Sequence, residues 1–96
     1  MASNIGTAVI DFGATPATEA SVAVTGQTEI GAGSRAEAFF MARATGDNDA
    51  NAHHQAAAYI RLVCSVPTPG AGFTITAYCL VGYVTGTFNI EWTWSD

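Results

Sequence analysis

The stretch Thr87-Phe88-Asn89-Ile90-Glu91-Trp92-Thr93-Trp94 constrains this chain more than any other. Phe88, Ile90, Trp92 and Trp94 fall on one side of an extended backbone, and Thr87, Asn89, Glu91 and Thr93 fall on the other. Strict alternation through eight residues has the period of a half-buried β-strand and not that of an amphipathic helix. Two tryptophans among the last five residues imply an anchored C-terminus, because a frayed tail would leave large rings in water.

The rest of the chain reads as further short strands between Gly and Pro turns. The first runs from Asn4 to Phe12. Pro16, which has no N–H for a ladder, interrupts pairing before a second strand from Ala20 to Thr25. Gln55 to Val66 alternates with two fairly apolar faces, which predicts a central strand covered on both sides. Phe73 to Val81 predicts a strand with Phe73, Ile75, Ala77, Cys79 and Val81 inward, and the Trp strand follows. Arg35 to Ala44 is ambiguous. Ser34-Arg35-Ala36-Glu37 matches a helix capping box, whereas strand alternation puts Ala36, Ala38, Phe40 and Ala42 on one face. The all-β surroundings favour strand. Thr45 to Ala52 is a polar loop with room for one helical turn capped by Asp47 or Asn48. This spacing predicts an all-β fold: residues 1–96 as one small antiparallel β-sandwich or jelly-roll-like barrel of about six to eight strands.

Charge is scarce. Only 11% of residues are charged, against about 25% in ordinary domains, and the chain has three arginines and no lysine. A surface this poor in charge suits a subunit covered by other chains, and the expected first partner is a second copy of the chain. The net charge of −5, with Arg35, Arg43 and Arg61 scattered singly, argues against a nucleic-acid partner or a basic membrane-binding face. No apolar run reaches the roughly 18 residues that span a bilayer, and the start of the chain lacks a signal-peptide pattern.

Cys64 and Cys79 flank the turn Pro67-Thr68-Pro69-Gly70-Ala71. A hairpin centred near Pro69 and Gly70 places Cys64 opposite about position 75 and Cys79 opposite about position 60. The offset is then about four residues, or ~13 Å. A disulfide needs Cα atoms within about 7 Å, so two free thiols are expected.

The densest polar cluster is Asp47-Asn48-Asp49-Ala50-Asn51-Ala52-His53-His54. Asp47, Asp49 and His53 are candidate metal ligands by type. A calcium loop would need Gly and Glu where Ala52 and Ala58 stand, and adjacent histidines point in different directions. The plainer expectation is no metal and no cofactor, with His53 or His54 packed at a strand start or a subunit contact. No nucleophile has a base and an orienting partner in sequence, so no enzyme activity is expected. Most aromatics are explained by the core. Tyr78 and Tyr83, which flank the Gly82 turn, are the candidates for an exposed binding or oligomer surface, with His53 and His54 beside them.

Several segments carry a resemblance. They are Ile10-Asp11-Phe12-Gly13, Ala38-Phe39-Phe40-Met41-Ala42, Thr45-Gly46-Asp47-Asn48-Asp49-Ala50-Asn51-Ala52-His53, Gly72-Phe73-Thr74-Ile75, and Thr85-Gly86-Thr87-Phe88-Asn89-Ile90-Glu91-Trp92. In that order the chain resembles small β-rich virion structural proteins of tailed bacteriophages. The likeness rests on turn and strand residues over nearly the whole chain and brings no catalytic signature. It implies a capsid decoration or cement protein that is assembled in the host bacterial cytoplasm, resides in the virion, and binds itself and the major capsid protein or other virion proteins. The alternative it implies is a tail or fibre component that binds host-surface carbohydrate.

Overall fold

The computed structural model describes residues 2–96. Six strands and one helix follow in the order β1 (Ser3–Asp11), β2 (Glu19–Val24), β3 (Arg35–Phe40), α1 (Ala50–Tyr59), β4 (Ile60–Cys64), β5 (Phe73–Cys79) and β6 (Thr87–Ser95). They build two three-stranded antiparallel sheets, β1-β6-β3 and β2-β5-β4, which pack face to face as a sandwich.

β6 is the central strand of its sheet, as its alternation requires. Phe88, Ile90, Trp92 and Trp94 all point into the core and are buried. Across the sandwich they meet Phe73, Ile75 and Ala77 of β5, with Val24 of β2, Ile60 of β4 and Ile10 of β1 around them. Phe12 and Phe40 meet Phe88 edge-on at centroid distances of 6.0 and 5.8 Å, and Phe73 meets Trp92 at 5.7 Å. The Trp94 indole N–H donates to Gln27 Oε1 (2.9 Å), so the ring is buried without stranding its polar atom. Gly6 is opposite Trp92 in the β1–β6 register, and a Cβ there would run into Trp92 Cζ2. The indole therefore occupies the volume that any side chain at position 6 would need.

Several expectations are met. The segment from Arg35 to Ala44 is extended rather than helical as far as Phe40, where the strand ends. Cys64 pairs with Ile75 and Ile60 with Cys79 in the β4–β5 register, and both thiols are free. Other expectations fail. The segment expected as one strand from Gln55 to Val66 is helical through Tyr59, and only Ile60–Cys64 is extended. Its alternation was carried largely by alanines, which suit either period, and alanine is the best helix former. Val81, expected inward, is 73% exposed, because β5 ends at Cys79 and the chain turns away from the core.

Candidate functional site

The polar loop before α1 holds the highest density of functional side chains, and the fold sets Thr45, Asp47, Asn48 and, from the helix, His53 against one edge of β6. β3 pairs with β6 only as far as Phe40 opposite Ile90. One more bond follows, from Met41 N–H to Asn89 C=O (3.0 Å). The Met41 carbonyl is then taken by Arg43 N–H (2.8 Å), so the ladder stops and the next backbone groups of β6 need other partners.

Side chains of the loop and helix supply them. His53 Nε2 accepts from Asn89 N–H (2.8 Å). Asp47 Oδ2 accepts from both the Thr87 N–H (3.1 Å) and the Thr87 hydroxyl (2.7 Å). The Thr87 carbonyl accepts from Thr45 Oγ1 (2.9 Å) and from Asn48 Nδ2 (2.9 Å). Asn89 Nδ2 reaches back to the carbonyls of Arg43 (3.0 Å) and Ala44 (3.3 Å). Residues 45–53 thus continue the sheet edge with side chains where β3 has ended.

Asp49, not Asp47 or Asn48, is the helix N-cap: its Oδ1 accepts from Ala52 N–H (2.8 Å). Its carbonyl meets His53 Nδ1 at 2.8 Å. A carbonyl can only accept and the Asn89 N–H can only donate, so the two partners fix the ring as the neutral tautomer with the proton on Nδ1. His53 is fully buried and meets Phe88 at a centroid distance of 5.1 Å. The imidazole is a core group with both nitrogens engaged inside the chain. His54, the next residue on the helix, is exposed.

The candidate metal ligands are likewise not brought together. Asp47 bonds Thr87, Asp49 caps α1 and His53 points into the core. Among the described residues no group of three or more His, Cys, Asp or Glu side chains is placed to share an ion. An open groove of about 390 Å³ lies beside Asp11, Gly13, Asp47 and Gly86. Asp11 Oδ1 accepts from Gly13 N–H there (2.8 Å).

Tyr78 and Tyr83 are both exposed, 40% and 74%. Tyr78 stands on the outer face of β5, opposite Glu19 of β2 on one side and Arg61 of β4 on the other. Tyr83 lies at the tip of the β5–β6 connection. With Tyr59, Val81 and Gly82 it lines a second open groove of about 390 Å³. The tip is apolar over consecutive residues, since Leu80 and Val81 are exposed as well. The two tyrosines thus belong to different surfaces, a sheet face and a turn. Sequence reasoning missed the apolar tip because it placed Val81 inside.

The thiols are structural in setting. Burial pushes the Cys64 thiol above its ordinary value, and the nearby Glu37 carboxylate pushes it the same way. Cys79 Sγ contacts the Val81 carbonyl at 3.2 Å. Cys64 therefore lacks the electropositive surroundings that make a reactive cysteine.

No protein-family model matches this sequence, and neither a curated protein nor a solved structure matches it.

Proposed function

We propose that this chain is a structural subunit of a virus particle, most specifically an oligomeric decoration or cement protein of a tailed-bacteriophage capsid. The observation that carries the reading is the distribution of exposed apolar side chains. Ile5, Val9 and Phe39 lie on the outer face of the β1-β6-β3 sheet, Val63 and Tyr78 on the outer face of the other, and Leu80, Val81 and Tyr83 at the turn. In the densest polar cluster, by contrast, Asp47, Asn48, Asp49 and His53 bond within the fold. Such a molecule offers apolar surfaces to be covered, and its two grooves of about 390 Å³ are open ones. The strand order β1-β6-β3 over β2-β5-β4 also suits a jelly roll with fewer than the usual eight strands, an architecture that occurs in viral shells, although fold alone does not choose function.

The mechanism is tiling. Each copy binds across neighbouring capsid subunits with modest free energy, and the symmetric array multiplies that through effective concentration. The test is to mix purified protein with DNA-filled heads freed of tails and to count the retained copies. Retention at a copy number that follows shell symmetry supports the reading, and Tyr83→Ala with Val81→Ala lowers it. Absence from the heads overturns it.

The second reading is a tail or fibre component that binds host carbohydrate. Tyr78 favours it, because an exposed ring flanked by Glu19 and Arg61 joins a stacking face to polar partners. That reading predicts few copies per particle and blocked adsorption when antibodies cover Tyr78.

A further inference from the structure

The two sheets meet along two seams, β1 beside β2 and β3 beside β4, and no hydrogen-bonded ladder joins the strands across either. Helix α1 packs against β3 and β4 and so flanks the second seam. Among the described residues α1 makes no comparable contact with β1, whose neighbour at the first seam is β2. We propose that the free edge of β1 is where two copies of this chain pair, antiparallel about Thr7. The inference deepens the oligomeric part of the function proposed above and rests on it.

The ladder itself tells which groups are free. Phe12 N–H donates to the Gly86 carbonyl, and Asp96 N–H donates to the Ala2 carbonyl. In an antiparallel pair the bonded positions alternate, so the even-numbered residues of β1 face β6. The N–H and C=O groups of Ile5, Thr7 and Val9 therefore point to the open side. Ile5 N–H has found only the neighbouring Asn4 Oδ1 (2.9 Å).

This edge lacks the usual protections. From Ser3 to Ile10 it has no charge, no proline and no lysine, and it belongs to a strand of nine residues. Its outward side chains Ile5 and Val9 are 62% and 48% exposed. Each chain has a net charge of −5, so two copies approach best along a strip that is uncharged on both. β3, the other edge of the sheet, carries Arg35 and Glu37 and lies against α1.

Register follows from the side chains. With Thr7 on the two-fold axis, Ile5 lies opposite the partner's Val9 and Val9 opposite the partner's Ile5. Moving the axis by one residue puts Ile5 opposite either a threonine or Asp11, so one register alone covers both apolar residues with apolar residues. The result is one continuous sheet of six strands, three from each copy.

The test is sedimentation equilibrium over a range of concentrations. The wild-type chain is expected to reach twice 9.9 kDa. Ile5→Lys with Val9→Lys sets like charges opposite each other in the pair. Ile5→Lys with Val9→Glu sets opposite charges there, at the same two exposed positions. The first double variant is expected to dimerise at least about tenfold more weakly than the second. Circular dichroism checks that both fold. Amide exchange on the wild-type protein needs no variant: Thr7 and Val9 amides gain protection as concentration rises. A wild-type chain that stays monomeric, or two double variants that behave alike, overturns the pairing. Head binding is scored separately. A monomer that is still retained on heads sinks the β1 pair alone, and a dimer that ignores heads sinks the virion role alone.

Discussion

His53→Phe is the most informative single substitution. The phenyl ring keeps the bulk of the imidazole and its edge contact with Phe88, but it removes the acceptor for Asn89 N–H. That donor lies on the central strand of its sheet, where β3 has already turned away. A buried donor left without a partner costs about 1–3 kcal/mol. The Asp49 carbonyl suffers less, because it also accepts from His53 N–H (3.2 Å), a bond that survives the change. His53→Ala adds a cavity beside Phe88 and Ala56 and should cost about 2–4 kcal/mol more. For a domain of this size, 1 kcal/mol moves the melting temperature by about 4–8 °C. The Phe variant should therefore melt on the order of 10 °C below the wild type, and the Ala variant lower still. The assay is urea unfolding with thermal melts, together with ¹⁵N chemical shifts of the imidazole. The shifts should report a bare Nε2 and a protonated Nδ1 in the native state. A Phe variant as stable as the wild type, or a ring protonated on Nε2, would refute the argument that this side chain continues the β6 edge.

Other expectations are more local. Gly86→Ala should destabilise by at least about 1–3 kcal/mol, because φ is +82° and the new Cβ would lie 2.7 Å from Asp47 Cβ, pressing on the loop that holds Thr87; denaturant midpoints check it. Gly6→Ala should force the Trp92 indole from its place and change tryptophan fluorescence along with stability. The Asp96 carboxyl is held below the ordinary aspartate range, first by the Ala2 N–H and then by the Ser34 hydroxyl. A depressed folded value means that its contribution is present above the unfolded aspartate value and is lost as pH falls through the folded one. Asp96→Asn should therefore lower stability at neutral and alkaline pH and flatten the acid end of the stability–pH curve, where the carboxyl no longer contributes. Cys64 should react slowly with thiol reagents at neutral pH, and mild oxidation should form no Cys64–Cys79 bond, as intact mass would show.

The particular elements show how far the sequence reached. The Trp strand was legible because large apolar residues alternate with polar ones, and only an extended backbone sorts them onto two faces. The β4–β5 register was legible because the Pro and Gly turn fixes where the hairpin folds back, and pairing then follows by counting. α1 was not. Its period-two pattern consisted mostly of alanines, and an alanine satisfies a strand or a helix equally. The better signal was present in Ala52, Ala56 and Tyr59, spaced as i, i+4, i+7, with His53 beside them, all on the helix face that meets the core.

The cluster from Asp47 to His54 marks the boundary between the two kinds of knowledge. Residue identity alone shows acids, amides and imidazoles close together, and that composition suits metal binding, a subunit contact or internal structure equally. Only the folded chain shows that β3 ends early and leaves β6 with unpaired backbone groups at Thr87 and Asn89, which Asp47, Asn48 and His53 then satisfy. The strands could be read from residue order, because side-chain period is a local property of the backbone. Tertiary structure alone decided what the polar residues are for, because a hydrogen bond is made between groups about forty residues apart, and nothing local records which partner is missing.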